Sequence, residues 1–460
     1  MKHFLLIPVL LLLAACGGMP MSELPTRLNP LPDHLPPMKA FSATTPQISR
    51  VRANSDIARD FLELTFEMES GRAIDRMTRF EGPVTIALAQ PVSPQFAADL
   101  AALLVRLNRE AGIDIHQTET GKPANIVIQT LPRRQLQATV PHAACFVVPR
   151  VANWDEFRQN RRSGKLDWAT LEQRERATVF IPADVSPQEA RDCMQEEVAQ
   201  ALGPLNDIYR LDDSIFNDDN INLVLTGFDM LILRVYYHPS LKNGMSRAEV
   251  AERLPDILNG LNPSGRLPHP DRQEKTPRAW INAIESALAP RVPRTLRLTY
   301  ARKALKIATD AGWHDNRMGF TLFVQGRLAL GIDGRTAVDS FTRAYEVYSD
   351  NFGTDDIHTA HVALQLAAFS LSQGDTELAL RLINDSLPSV ARSKNAALLA
   401  AFLMIKAEAL DFEGRPDQAA LVRMDSLGWA RYGFASDEDI RARLKETAAL
   451  RPRGKPPGVG

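Results

Sequence analysis

Residues 186–207 read S-P-Q-E-A-R-D-C-M-Q-E-E-V-A-Q-A-L-G-P-L-N-D, and the reading of this stretch decides how the rest of the chain is understood. Both ends of one helix are marked in it. Ser186 stands as an N-cap and Pro187 at the first helical position, where a missing N–H costs nothing. Glu189, three residues after the cap, completes a capping-box pattern. Gly203-Pro204 stops the helix. The face it presents is polar, with Glu196, Glu197 and Gln200 at spacings that bring residues four apart together.

Those three residues occupy the places of His, Glu and His in the H-E-x-x-H zinc helix, and Gly203 falls on the glycine of the longer form H-E-x-x-H-x-x-G. The stretch resembles a metalloprotease active-site helix with both imidazoles replaced. In such a site Glu197 would be the general base, and Asn206 or Asp207 would offer a third oxygen. A neutral glutamine amide is a poor zinc ligand, and an all-oxygen set suits calcium or magnesium better. Three readings stay open. The carboxylates are solvated or bonded to backbone amides without metal, or they line a cleft for a peptide or small ligand, or they form an atypical metal site. The expectation taken forward is a pseudo-metalloprotease with no metal and no cofactor.

Working upstream, Asn54-Ser55 read as the cap of a helix carrying Ile57, Phe61, Leu64 and Met68 inward, ended by Gly71. Residues 84–88 alternate as a strand. Ser93-Pro94 opens a helix with Leu100, Leu103, Leu104 and Leu107 on one face, closed by Gly112. Short strands follow at 113–116, 125–128, 145–148 and 177–181, the last leading into the Ser186 helix. Downstream, Thr226 and Asp229 form a second capping box.

Together these motifs resemble a specific family. C-M-Q-E-E-V-A-Q-A-L-G-P-L-N-D (193–207), S-I-F-N-D-D (214–219), L-T-G-F-D-M-L-I-L-R-V-Y-Y-H-P (225–239) and G-M-S (244–246) resemble the domain-of-unknown-function family numbered 2927, made of proteobacterial putative lipoproteins. The resemblance implies an α+β zincin-like fold with a mixed sheet over residues 48–255 and an address outside the cytoplasm. It implies no activity. Phe216 stands where metzincin-like proteases place the methionine of their methionine turn.

The start of the chain fits that address. Lys2 precedes an apolar run at 4–13 that is too short to span a bilayer, and L-A-A-C ends at Cys16, as in a bacterial lipobox. Residues 1–15 are therefore expected to be a lipoprotein signal peptide and Cys16 the lipidated residue. Gly17-Gly18 carry no aspartate of the kind that favours the inner membrane, which points to an outer-membrane lipoprotein facing the periplasm of a Gram-negative bacterium. Residues 16–47 are expected to be a proline-rich tether without apolar periodicity, semi-extended, of which the stretch from Met19 to Pro46 alone has about 80 Å of reach. The other two of the three cysteines, Cys145 and Cys193, sit in no C-x-x-C, and in an oxidising compartment a disulfide between them is expected.

Beyond a linker with one helix at 256–293, expected to be capped by Thr276-Pro277, the chain reads as helices with a period. Gly334, Gly374 and Gly414 recur every 40 residues, followed by Ala337, Ala379 and Ala419. Residues 294–450 resemble tetratricopeptide repeats of the longer kind found in kinesin light chains, with about three helix pairs stacking to bury their apolar faces. A non-repeating bundle is the alternative. Residues 451–460 read as a disordered tail.

The remaining features exclude more than they assign. A formal net charge of -1 gives no electrostatic case for nucleic acid. No G-x-S-x-G, Walker A or dinucleotide glycine pattern occurs. Asp212, Asp213, Asp218 and Asp219 lack calcium-loop spacing and read as turn residues, and His358 and His361 as surface or capping residues. The expected function is a membrane-anchored binding or scaffold protein, holding a protein or peptide partner on its helical repeats. The alternative is a metal-dependent, peptidase-like hydrolase with an atypical carboxylate set.

Overall fold

The computed structural model describes residues 25, 31–32, 35–41, 51–141, 143–268 and 273–452. The signal, Cys16 and residues 453–460 of the tail lie outside them. Among the described residues no helix is long and apolar enough to cross a membrane.

The first half is built on a five-stranded mixed sheet in the order β2-β1-β3-β5-β4. Its strands are β1 (Val84–Leu88), β2 (Ile115–Gln117), β3 (Ile126–Leu131), β4 (Phe146–Pro149) and β5 (Ala177–Pro182). β1 runs parallel to β2 and β3, and β3 parallel to β5, while β4 lies antiparallel on the edge beside β5. All six residues of β5 are buried, as expected of a strand covered on both faces. Val179 and Ile181 face the main core, and Phe180 between them joins Phe146, Trp154 and Phe157 in an aromatic cluster on the other side.

Among the described residues these helices frame the sheet: α1 (Asn54–Phe66), α2 (Pro94–Arg106), α3 (Arg133–Thr139), α4 (Trp154–Asn160), α5 (Pro187–Leu202), α6 (Gly227–Tyr236) and α7 (Arg247–Leu261). α2 starts at Ser93, whose side chain accepts from the Phe96 N–H, and after one π-helical turn its run ends at Gly112 in the left-handed conformation, as the sequence predicts. α1 starts where expected but not by the expected cap. Ala53 is its N-cap, and the Asn54 side chain turns away to bond Asn259 and Asn262 at the end of α7. α1 also ends at Phe66, before Gly71. α7 runs through Pro255 to Leu261, past the composition break at that proline.

The second half is all helical: α8 (Arg278–Leu288), α9 (Arg294–Asp310), α10 (Asn316–Ala329), α11 (Gly334–Phe352), α12 (Ile357–Gln373), α13 (Thr376–Arg392), α14 (Ala396–Phe412), α15 (Pro416–Gly433) and α16 (Asp437–Leu450). Consecutive helices pack as pairs from α8–α9 to α14–α15, and α16 closes against α14. α8 thus packs with α9 rather than standing as a bare linker helix. It is capped neither by Thr276 nor by any other side chain, because the Thr276 hydroxyl accepts from Arg317.

The period is real in its alanines and shifted in one glycine. Ala337, Ala379 and Ala419 each hold the fourth position of the second helix in a pair and are buried. Gly374 and Gly414 take the positive-φ turn between paired helices. In the earlier pair that place belongs to Gly331, and Gly334 is the first residue of α11.

The two halves share a core. Tyr209 and Ile221 of the first half pack into the helical core beside Trp280, with the Tyr209 and Trp280 rings edge-to-face at 5.1 Å.

Candidate functional site

α5 is held at both ends. The Ser186 hydroxyl accepts from the Glu189 N–H at 3.1 Å, but Glu189 does not reach back to complete the box: its carboxylate pairs with Arg133. At the other end buried Arg174 donates to the carbonyls of Gln200, Ala201 and Gly203 at 2.6, 2.7 and 2.5 Å, so one guanidinium satisfies the last turn. Its plane lies 4.8 Å from the Trp168 ring centre. Cys193 on α5 is disulfide-bonded to Cys145 at the start of β4, which ties the helix to the sheet edge.

The N-terminal half of α5 faces the helical region. The Gln188 amide donates to Asn395 at 3.2 Å and its oxygen accepts from the Ala397 N–H at 3.0 Å. Arg191 donates to the Lys394 carbonyl at 3.0 Å and lies over the Tyr432 ring. The Tyr432 hydroxyl in turn donates to Asp99 on α2 at 2.9 Å. The helix that resembles a protease active-site helix is thereby part of the seam between the halves.

Glu196, Glu197 and Asp207 are brought together. Glu197 is only 5% exposed. It meets the backbone N–H of Val147 in β4, while its Oε2 atom is buried with no hydrogen-bond partner, as is Oδ1 of Asp207. Burial is the main cause that pushes the Glu197 carboxyl up to about 8, reinforced by the charges of Asp207 and Glu69. Burial likewise holds Glu196 and Asp207 well above the usual carboxylate range, with Glu197 adding to the first and Glu196 to the second. Like charges crowded together around buried Glu197 cannot all ionise, so the cluster retains protons near neutral pH.

The other two sequence candidates make contacts of their own beside the cluster. The Asn206 amide donates to the Glu63 carbonyl at 3.2 Å, and Gln200 contributes its main-chain carbonyl to Arg174. Among the described residues no group of three His, Cys, Asp or Glu side chains is placed to hold a metal ion. Beside the cluster lies a cavity of about 550 Å³ on the seam, walled by Asp207, Glu69 and Tyr209 from the first half and by Lys275, Arg278 and Ile281 from the second.

The aspartates of the 212–219 loop do turn and pairing work. Asp219 accepts from the Ile221 N–H at 2.9 Å, Asp218 from the Tyr209 hydroxyl at 2.7 Å, and Asp212 and Asp213 flank Arg52. Phe216 is fully buried. His358 is not on the surface: it is 2% exposed, with its Nδ1 atom 2.9 Å from Asp356, the N-cap of α12. The sequence reading missed Arg174, Gln188 and Arg191, whose partners are far away in the chain, so no local pattern marks them.

Residues 54–256 match the family described as "Protein of unknown function (DUF2927)". The matched DUF2927 segment begins with α1, ends within α7 and contains the sheet, α5 and the whole acidic cluster. The paired helices that follow lie outside it. Comparison with curated proteins finds no match.

Proposed function

We propose that this chain is a non-catalytic binding or scaffold protein of the cell envelope, anchored by a lipid on Cys16 at the outer membrane and facing the periplasm. In this reading the DUF2927 segment is a zincin-like domain that has lost its metal, and the tetratricopeptide-like helices present the surface to a protein or peptide partner. One observation carries it: the helix that would hold zinc is committed to structure. Glu197 is buried against Val147, and Gln188 and Arg191 fasten the same helix to α14 and the turn before it. The donor set points the same way, since clustered, protonated carboxylates with no imidazole are poor zinc ligands.

The metallohydrolase reading is favoured by a different observation. A carboxyl with a pKa of about 8 changes charge near neutral pH, as a general base must, and Asp207 of the same cluster borders a cavity. Elemental analysis of protein purified without chelator separates the two. The scaffold reading expects no stoichiometric metal in the wild type; stoichiometric zinc that disappears in Glu196→Ala defeats it.

A further inference from the structure

The proline-rich segment before the first domain is docked, at the far end of the chain. Leu31 is buried among Ala400 and Met404 of α14, Leu427 and Ala430 of α15, and Ile440 and Leu444 of α16, and Leu35 packs beside it. Phe41 stacks on Trp429 with ring centres 4.5 Å apart and meets Tyr432 edge-on. The backbone is held as well. The Lys39 N–H donates to the Gly428 carbonyl at 3.0 Å, Arg431 donates to the Pro36 carbonyl at 2.8 Å, and the Lys39 ammonium pairs with Asp425. Arg423 donates to the Pro25 carbonyl at 3.4 Å. Gly428 eases the close approach: a Cβ there would sit 2.9 Å from Lys39 Cγ, so that the lysine side chain would have to shift, and 3.4 Å from the Pro37 carbonyl oxygen.

A segment without apolar periodicity therefore carries three anchors, Leu31, Leu35 and Phe41, and its prolines keep it extended at low entropic cost. Docking changes the length of the leash. Val51, where the first domain begins, is 35 residues from Cys16, a reach of roughly 110 Å for an extended chain. Pro25 is nine residues from Cys16, a reach of about 30 Å.

We infer that the described residues of this segment, 25, 31–32 and 35–41, form a docked strap that makes the α14–α16 end of the helical array the membrane-facing end of the protein. This rests on the lipid-anchor reading of Cys16. The surface that meets the bilayer is then the last helix pair and α16, and the sheet domain is joined to the membrane through that end. The strap also covers the apolar residues Ala400, Met404, Leu427 and Ala430 of the last helix pair.

Mature lipidated protein on vesicles carrying a headgroup quencher provides the test, with a fluorophore at Lys445→Cys on exposed α16. Strong quenching is expected with the native strap. It should fall several-fold when Leu31→Asp and Phe41→Ala release the strap, with circular dichroism checking that the helices stay folded. Gly428→Leu is the independent variant from the groove side. Hydrogen exchange of the Lys39 amide reports docking in soluble protein, with protection expected in the wild type and lost in both variants. Unprotected Lys39 in the wild type, or quenching that does not change when the strap is released from vesicle-bound protein, overturns the proposal. Wild-type protein that fails to sediment with vesicles overturns the anchor reading instead, and with it any membrane-facing role, while Lys39 protection still reports whether the strap is docked.

Discussion

Asp229 and Glu197 are both buried carboxylates of the first half, and the surrounding chain treats them in opposite ways. Asp229, at the start of α6, accepts from the Ser214 hydroxyl at 2.5 Å, the Ile215 N–H at 3.0 Å, and the Thr226 N–H and hydroxyl at 2.7 and 3.0 Å. It sits at a helix N-terminus, where the backbone dipoles also favour negative charge. Glu197 lies in the middle of α5 with one amide from β4 and an unpartnered oxygen. Burial raises the carboxyl of both, but around Asp229 the hydrogen bonds that fasten the 214–216 loop to α6 oppose that rise. Around Glu197 the charges of Asp207 and Glu69 add to it, against one backbone amide.

If this contrast is right, the two sites respond oppositely to loss of the carboxylate. The largest effect belongs to Asp229→Ala, which strands the Ile215 and Thr226 amides and the Ser214 hydroxyl, while the Thr226 hydroxyl keeps the Asp213 carbonyl at 2.6 Å. A loss of about 4 kcal/mol is expected, given that hydrogen bonds to charged groups contribute more than neutral ones and orphaned donors carry their desolvation cost. Urea unfolding measures it, and a loss no larger than that of a surface alanine would erase the distinction.

The second site is sharpened through its tether. Cys145–Cys193 closes a loop of 48 residues and holds α5 against the β4 edge, beside the Val147 amide that Glu197 meets. Replacing both cysteines with serine is expected to cost about 3 kcal/mol. It should also weaken the pH dependence of unfolding, because a looser α5 admits water to the cluster. An unchanged pH dependence in the double variant would mean that the disulfide plays no part in keeping the acids dry.

How much of this was legible in the sequence follows one physical line. Elements fixed by neighbours were readable: the Ser93 and Ser186 caps, the Thr226–Asp229 box, the alternating strands and the repeating alanines all depend on residues a few positions apart. Expectations failed where a distant partner won a side chain from its local role. Asn54 goes to Asn259 and Asn262 instead of capping α1, Glu189 goes to Arg133 instead of closing the box, and the Thr276 hydroxyl goes to Arg317 instead of capping α8. The strap is the same case at larger scale, since its anchors are meaningful only once α14–α16 exist. Of the candidate site, Glu196, Glu197 and Asp207 were found because helix spacing and a short loop bring them together. The contact of the Asn206 amide with the Glu63 carbonyl depends on a residue 143 positions away and leaves no local mark in the sequence.

Glu197 itself offers the smallest and most selective test. Its pKa rises from an ordinary 4.5 in the unfolded chain to about 8 in the fold. Below pH 4.5 both states hold the proton and stability does not depend on this group. Between 4.5 and 8 the folded state keeps a proton that the unfolded state has released, so stability falls as pH rises, and above 8 the full penalty is carried. Asp192 and Asp219, both raised to about 7 chiefly by burial, push in the same direction. Glu197→Gln keeps the shape and removes the titration. It is expected to stabilise the protein by about 2 kcal/mol at pH 8.5 and to change little at pH 4. Thermal unfolding across that range is the measurement. A variant less stable than wild type at pH 8.5 would mean that the ionised carboxylate is held by favourable contacts, as Asp229 is, and that the Glu-Glu-x-x-Gln face still works as a charged site.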